Sequence, residues 1–355
     1  MVMACYRCRR CARRYALEDR QWACSCGGLF DVGDWVANPL PSELPWSMWR
    51  YRAALPVTDG WEDLTLGEGM TPLLPAGPDA WYKVDSLMPT GSYKDRGSVA
   101  LILGALAAGA KRVVADSSGN AGLSLATYAA RAGLGATVFV PQATSGGKVV
   151  RLERTGAVVR RVAGDRGATA AAALDALSTG TDFYASHVYN PLFHHGTKTF
   201  AYEVWEQLGR RTPGTVILPV GNGTLLLGAA LGFAELVAAG LASAIPRLVA
   251  VQAAGCAPLR AFVAGGMAGV GAPGGTTVAE GIAIPAPPRL PQMAEVISES
   301  EGTVLVVDDA AILGTQAQLI AQGIWVEPTA AAAAAAWVGR QFPGPVVIAL
   351  TGRNA

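Results

Sequence analysis

The strongest constraint on the fold of this chain is a regular alternation of short apolar runs with alanine-rich helical segments. The run KRVVA at 111–115 ends in the polar glycine turn DSSGNAG, which continues into the helical segment LSLATYAARAGL. Strand signals of the same kind lie within 135–141, 156–165, 215–228, 247–253 and 345–352. Strands that are separated by crossover helices form parallel sheets with helices on both faces. The sequence therefore predicts an α/β fold.

Length and composition predict two domains with large buried sheets. At 355 residues the chain is longer than a single hydrophobic core usually grows. It is 51% hydrophobic, contains 43 glycines and is only 15% charged, as expected for buried parallel strands joined by tight turns. We predict a cysteine-rich, ribbon-like segment at 1–40, a large domain built from 41–88 and 195–355, and a small α/β domain at 89–194.

The charge balance argues against a nucleic-acid interface. Basic and acidic residues nearly cancel, at 28 and 27, and the sequence has no basic stripe with interleaved aromatic residues. Arginines and cysteines interrupt the start of the chain, where a leader peptide would be apolar. The apolar stretch 221–239 is broken by glycines and carries Glu235, which favours a buried helix over a membrane span. We expect a cytoplasmic protein whose partner is a small molecule, without nucleic-acid or membrane partners.

The cysteines cluster at the start of the chain. Of six cysteines, five lie within the first 26 residues: Cys5, Cys8, Cys11, Cys24 and Cys26. In a reducing compartment such clustering indicates metal ligation more readily than disulfides. The pairs Cys8-x-x-Cys11 and Cys24-x-Cys26 predict a zinc ribbon with four thiolate ligands. A ribbon that binds no metal is the alternative, and Cys256 is predicted to be a small buried residue.

A single lysine stands out in the decapeptide PTGSYKDRGS at 89–98. A lysine held in a tight, glycine-bounded turn can be oriented and desolvated enough to act as a nucleophilic amine, which makes Lys94 a candidate for covalent chemistry. The alternative is an ordinary surface helix start, capped by Ser92, with Lys94, Asp95 and Arg96 as a solvated charge cluster.

Polar turns follow three of the predicted strands. SSGNAG at 117–122 and GNGT at 221–224 expose small residues, an asparagine and backbone N–H groups at the start of a helix, which is the arrangement that binds an anion. ALTGRNA at 349–355 ends the last strand on a hydroxyl residue. Each turn alone is compatible with an ordinary helix start. Together with Lys94, they indicate a flat, anionic cofactor that forms an imine with lysine.

These motifs resemble those of a known family. PTGSYKDRG, SSGNAG, GNGTLLLG, AEGI and EPTAA, in this order and preceded by LGEGMTPL and the cysteine-rich start, are similar to threonine synthase among the fold-type II pyridoxal phosphate enzymes, whose architecture is tryptophan synthase β-like. The resemblance covers nearly the whole chain. It implies a homodimeric lyase of amino-acid biosynthesis that converts O-phosphohomoserine and water to threonine and phosphate. It also implies two parallel-sheet domains, with pyridoxal 5'-phosphate at the strand ends in the cleft between them.

The resemblance also implies a role for individual residues. Lys94 would hold pyridoxal phosphate as a Schiff base, Asn120 would hydrogen-bond the 3-hydroxyl of its ring, and Thr351 would face the pyridine nitrogen. Ser117 and Ser118 would contact the substrate carboxylate. The cofactor phosphate would be bound by four residues: Gly221, Asn222, Gly223 and Thr224.

The sequence departs from the family pattern at the substrate side chain. The segment NPLFHHGTKTF has Phe193 where the family commonly has an arginine suited to a phosphorylated substrate. Ala121 replaces a hydroxyl residue that often follows the turn asparagine. The histidines of the chain all lie close to this segment: His187, His194 and His195. They are candidate substrate-binding groups that could replace the lost cation, assist acid/base chemistry near neutral pH, or simply pack and cap. Other candidate anion partners are Lys148, Arg154 and Lys198.

Two enzyme functions are compatible with these departures. One is a threonine synthase acting on O-phosphohomoserine by γ-elimination and β-addition of water. The other is a paralogue that performs β-elimination or β-replacement on a different amino acid in a specialised pathway.

Overall fold

The computed structural model describes residues 4–177, 181–270 and 275–353. The strands are β1 Cys5–Cys8, β2 Arg14–Ala16, β3 Phe30–Gly33, β4 Leu73–Gly77, β5 Ala80–Lys83, β6 Arg112–Ala115, β7 Gly135–Pro141, β8 Val158–Val162, β9 Asp182–Tyr184, β10 Thr215–Pro219, β11 Arg247–Ala253, β12 Thr303–Val307 and β13 Val346–Ala349. The helices are α1 Trp61–Leu64, α2 Lys94–Ala107, α3 Asn120–Arg131, α4 Gly146–Glu153, α5 Arg166–Asp175, α6 Leu192–Thr197, α7 Thr199–Gln207, α8 Thr224–Ala238, α9 Pro258–Gly269, α10 Leu290–Glu299, α11 Asp309–Ala321 and α12 Pro328–Trp337. Short 3₁₀ helices lie at Met48–Ala54, Asp85–Leu87 and Glu280–Ile282. Within the described ranges, every helix is too short or too polar to cross a membrane.

The chain divides into two compact units. Unit 1 consists of Met1–Ala37, Arg52–Glu68 and Lys94–Gly196. Unit 2 consists of Asn38–Tyr51, Gly69–Tyr93 and Thr197–Ala355. The cysteine-rich segment is therefore part of a larger unit. The domain bounds derived from the sequence remain a prediction.

Unit 1 contains a four-stranded sheet with the order β8-β7-β6-β9, in which all neighbouring strands run parallel. The valine-rich strands lie at the places where the sequence indicated them. Helix α3 packs against β7 and against α2, so the helix that follows the SSGN turn is fixed on the sheet. The cysteine-rich segment adds a small antiparallel sheet with the order β2-β1-β3.

Unit 2 contains a six-stranded sheet with the order β12-β11-β10-β13-β5-β4. All its neighbours are parallel except the edge strand β4, which pairs antiparallel with β5. The alanine run 330–336 forms most of α12 and is buried against this sheet. Small side chains let the helix approach the strands closely.

Each sheet carries its polar turns at the carboxyl ends of adjacent strands. In unit 1, Ser117 follows β6 and His187 follows its neighbour β9. In unit 2, Gly221 follows β10 and Thr351 follows its neighbour β13. Ligands of open parallel sheets bind at this edge, so the fold places the candidate residues where a site is expected.

Candidate active site

Lys94 is the first residue of α2 and is half-buried. The two charged residues that follow it, Asp95 and Arg96, are fully buried. The Ser124 hydroxyl donates a hydrogen bond of 2.5 Å to Asp95 Oδ1, which ties the first turn of α2 to α3. The Ser92 hydroxyl is buried and finds no hydrogen-bond partner among the described residues, so it does not cap the helix. The alternative of a solvated surface helix start is therefore wrong.

An aromatic ring lies beside the lysine. The Lys94 Nζ atom is 5.5 Å from the centroid of the Phe193 ring, which is fully buried. The ring packs on Gly97, one turn along α2, where a Cβ atom would lie 2.5 Å from the ring carbons. Glycine at this position is therefore what admits the ring. His187 meets the same ring edge-on, with 5.7 Å between centroids.

His187 is held in its neutral form. Burial lowers the pKa of its imidazole well below the usual value, and the positive charges of Lys94 and Arg166 lower it further. A neutral imidazole does not supply the cation that the sequence suggested for this position. The two other histidines, His194 and His195, lie on α6 and are 4% and 5% exposed.

The SSGN turn is shaped by a close backbone approach. A Cβ atom on Gly122 would overlap the carbonyl oxygen of Ser117, so only glycine lets the turn fold back on the start of α3. Ser117, Ser118 and Asn120 are half-buried, and Asn120 is the first residue of α3. Ala121, by contrast, is buried at 3% exposure. The polar side chains of this turn are therefore the ones accessible to a ligand.

The GNGT turn in unit 2 forms a narrow backbone cradle at the start of the 15-residue helix α8. Gly223 has a left-handed φ of 76°, and a Cβ atom on it would overlap Met293 Sδ. A Cβ atom on Gly221 would lie 2.8 Å from the carbonyl oxygen of Gly281. At both positions a side chain larger than that of glycine would collide with neighbouring atoms. The backbone N–H groups and the positive end of the helix dipole at the start of a helix can bind a phosphate.

Tyr93, which was not predicted as a site residue, connects the GNGT turn of unit 2 to the end of β13. Its hydroxyl lies 2.8 Å from the Thr224 hydroxyl, and its backbone N–H donates a hydrogen bond of 2.9 Å to the carbonyl oxygen of Thr351. Thr351 itself is 3% exposed at the end of β13. The sequence offers a tyrosine directly before the lysine, but it does not reveal either partner.

These residues fit pyridoxal phosphate. A glycine cradle at a helix start suits its phosphate, a hydroxyl at Thr351 suits its ring nitrogen, and an amine at the start of α2 suits its aldehyde. The lysine belongs to unit 1, and the glycine cradle and Thr351 belong to unit 2.

Lys198, a candidate anion partner in the sequence, is already paired. It is the single residue between α6 and α7 and is fully buried. Its ammonium donates a hydrogen bond of 2.8 Å to Glu235 on α8. The Tyr202 hydroxyl also donates to Glu235. A buried lysine whose charge is neutralised in this way is not a receptor for a substrate anion, so this expectation is wrong.

The four cysteines predicted as metal ligands lie together. The Sγ atoms of Cys8, Cys11, Cys24 and Cys26 are all within 4.8 Å of one another. Cys5 is separate, and its thiol donates a hydrogen bond to Asp34. The pairing that the sequence suggested is therefore compatible with a single metal centre.

Comparison with known proteins agrees with this chemistry. Residues 64–352 match the family described as pyridoxal-phosphate dependent enzymes. A threonine synthase from Methanosarcina acetivorans is 33% identical, over 93% of this chain and 85% of that protein. A threonine synthase from Mycobacterium tuberculosis is 34% identical, over 89% of this chain and 90% of that protein.

Solved structures share the fold. A fungal L-serine ammonia-lyase from Rhizomucor miehei has a TM-score of 0.69 and 24% identity, with 80% of this chain and 93% of that chain covered. O-ureido-L-serine synthase has a TM-score of 0.67 and 24% identity, with 84% and 92% covered. The fold and the candidate residues thus define a fold-type II pyridoxal phosphate enzyme. The chain belongs to the pyridoxal-phosphate dependent enzymes and, among them, to the threonine synthase family.

Proposed function

We propose that this enzyme converts O-phosphohomoserine and water to threonine and phosphate. In that reaction the bond between Cγ and the phosphate oxygen breaks, phosphate leaves with the electron pair, and water provides the hydroxyl on Cβ. The observation that carries the proposal is the pair of hydrogen bonds made by Tyr93, because they fix the peptide that leads into Lys94 against both Thr224 and Thr351. The similarity to threonine synthases over most of the chain supports the choice of reaction.

The residues have separate tasks in this proposal. Bound pyridoxal phosphate supplies the electron-withdrawing ring that makes a proton on Cα acidic. Lys94 holds it covalently and carries protons between substrate carbons, because its amine stands at the half-buried start of α2. Ser117 and Ser118 bind the substrate carboxylate, and Asn120 orients the ring.

The phosphate and the pyridine nitrogen are assigned to unit 2. The phosphate of the cofactor would be bound by Gly221, Asn222, Gly223 and Thr224, and Thr351 would face the ring nitrogen. A neutral hydroxyl does not stabilise a protonated nitrogen as a carboxylate would, so it limits the ring as an electron sink. Such a site favours elimination and addition over chemistry that needs a fully developed carbanion.

A second candidate function rests on the surroundings of Lys94. The ring of Phe193 and the neutral imidazole of His187 are two uncharged groups near this lysine. A phosphate dianion binds poorly where no charged donor meets it, because charge-assisted hydrogen bonds are about twice as strong as neutral ones. This favours β-elimination or β-replacement on an amino acid whose side chain carries no phosphate.

Phosphate release decides between the two functions. The wild type is supplied with O-phosphohomoserine, and inorganic phosphate and threonine are measured together with the visible absorbance of the bound cofactor. Release of both products in equal amounts is expected. An intact cofactor absorbance without phosphate release would overturn the threonine synthase proposal and leave the second function, which a panel of other amino acids would then define by changes in that absorbance.

Two variants sharpen the decision. If His194 replaces the missing arginine, His194→Ala should lower kcat/KM for O-phosphohomoserine by roughly tenfold to a hundredfold, the value of one charged hydrogen bond. In a true threonine synthase, Phe193→Arg should lower kcat/KM for O-phosphohomoserine or leave it unchanged. In the paralogue, the same substitution should improve binding of O-phosphohomoserine. Because Phe193 packs on Gly97, the melting temperature of this variant must be compared with that of the wild type.

Location and assembly remain predictions. We expect a cytoplasmic enzyme, because clustered cysteines that form no disulfides among the described residues are typical of a reducing compartment. A homodimer is expected from the family resemblance, and light scattering of the purified holoenzyme would test it.

A further inference from the structure

The four clustered cysteines have the separations of a tetrahedral thiolate site. Two Sγ–Sγ distances involve Cys26, at 3.5 Å to Cys8 and 3.5 Å to Cys11, and a third joins Cys11 to Cys24 at 3.6 Å. A zinc ion with Zn–S bonds of about 2.3 Å spaces its ligands about 3.8 Å apart, close to these values. A disulfide would instead bring two sulfurs to about 2.0 Å. The cluster therefore has the size of a metal centre.

The backbone around the thiols is arranged for ligation. In the first turn, the N–H of Arg10 points at Cys8 Sγ from 3.4 Å, and the N–H of Ala12 bonds the carbonyl oxygen of Cys8. In the second turn, Gly27 has a φ of 78° and donates to the carbonyl oxygen of Cys24. A Cβ atom on Gly28 would lie 2.5 Å from Cys8 Sγ, so a larger residue would push a ligand away.

The local charge also suits a bound metal. Four thiolates around a divalent zinc ion carry a net charge of −2. The same stretch of chain supplies five arginines: Arg7, Arg9, Arg10, Arg13 and Arg14. Two of them, Arg9 and Arg14, form ion pairs with Asp31 and Asp34. Arg10 reaches the second turn directly, through a hydrogen bond of 2.9 Å to the carbonyl oxygen of Cys26.

The geometry points to a structural zinc ion bound by Cys8, Cys11, Cys24 and Cys26, whose ribbon holds the segment 190–193 in place. All four first-coordination positions are taken by protein, as in structural sites, so the metal has no open position for a reactant. Tetrahedral sites of four sulfurs select zinc or iron, and we assign zinc to this site.

The ribbon contacts the segment that ends at Phe193. The Asn190 side-chain amide donates a hydrogen bond of 3.3 Å to the Tyr6 hydroxyl on β1. Leu192 belongs to the same buried cluster as Tyr6, two of the cysteines and Phe30. Phe193 follows directly, with its ring 5.5 Å from Lys94 Nζ. The metal site thus acts as a positioning device, and its effect on turnover rests on the proposed function.

Metal content is the direct test. The holoenzyme is purified under reducing conditions, and zinc is measured by mass spectrometry. We expect one zinc per chain in the wild type and a loss of most of it in Cys11→Ser and Cys26→Ser. The matched controls Cys5→Ser and Cys256→Ser lie outside the cluster and should keep the metal. A metal-free wild type, iron in place of zinc, or equal zinc in cluster and control variants would overturn the assignment.

Hydrogen exchange tests the positioning role without relying on turnover. Removal of zinc, by a chelator or by Cys11→Ser, should speed amide exchange in 188–195 while exchange in β10 and β11 of unit 2 stays the same. Tyr6→Phe should loosen 188–195 with zinc retained. Unchanged exchange in this segment after zinc loss would overturn the positioning role. The zinc content and the exchange rates of 188–195 do not depend on which amino acid the enzyme accepts. They can therefore contradict the metal site without contradicting the proposed function, and the reverse.

Discussion

The phenol oxygen of Tyr93 lies 2.8 Å from the hydroxyl oxygen of Thr224, although 131 positions separate the two residues in the chain. Thr224 is the first residue of α8 and the last of the GNGT turn. Tyr93 immediately precedes Lys94. Within unit 2, one hydrogen bond therefore links the last residue of the GNGT turn to the residue that directly precedes Lys94 in the chain.

Tyr93→Phe should weaken retention of the cofactor. The variant removes one hydrogen bond, whose net contribution of about 0.5–1.5 kcal/mol corresponds to a rise of roughly twofold to tenfold in the dissociation constant of pyridoxal phosphate. Equilibrium dialysis with absorbance detection measures it. Tyr82→Phe, which also removes one hydroxyl in the same unit but keeps the ring contact with Trp337, serves as the matched control and should bind the cofactor normally. Equal affinity in both variants would contradict the role of Tyr93.

Lys94→Ala should abolish turnover and the visible absorbance of the lysine-bound cofactor while the fold is kept. The side chain is half-buried at a helix start, so its loss removes little core packing. Circular dichroism and thermal unfolding should resemble those of the wild type. The exposed Lys111→Ala provides the control. A lysine-bound absorbance that survives in Lys94→Ala would assign the cofactor to another lysine.

Gly223→Ala should cost both stability and cofactor binding. The left-handed backbone costs alanine roughly 1–2 kcal/mol, and the overlap with Met293 adds a further packing penalty of about 1–3 kcal/mol. Gly240→Ala is the control, because Gly240 has a φ of 70° in the same unit but open space around its Cα. Urea unfolding of the two variants separates backbone strain from crowding. Equal losses of stability would show that the cradle is not tightly packed.

Acidification should destabilise the protein through His187. Its pKa is lowered in the folded state by burial and by the charges of Lys94 and Arg166, whereas the unfolded value is about 6.5. Below that pH the unfolded chain binds a proton that the folded chain does not, so the contribution of His187 to stability is complete above about pH 6.5 and is lost as the pH falls. Urea unfolding between pH 7.5 and pH 5.5, values chosen to bracket the ordinary histidine pKa of about 6.5, should give a shallower decline for His187→Gln than for the wild type. Identical declines would mean that His187 does not titrate in this way.

Local sequence signals were sufficient for the fold class, and together with the family resemblance they suggested candidate residues for the cofactor. Valine-rich runs, glycine turns and alanine-rich helices repeat along the chain, and each depends only on neighbouring residues. The GNGT turn and Lys94 were found for the same reason, since backbone conformation at a turn is set by the glycines within it. The cysteine spacing likewise predicted which four thiols lie together.

Contacts between distant segments could not be predicted in this way. The position of Phe193 on Gly97 and beside Lys94 depends on how α6 packs on α2, and the pairing of Lys198 with Glu235 depends on how α7 packs on α8. The sequence alone left His187 a candidate cation, and only its burial next to two positive charges made it neutral. Desolvation and charge neighbours are properties of the packed chain, so the sequence determined which groups are available, and the tertiary structure decided their charge and their partners.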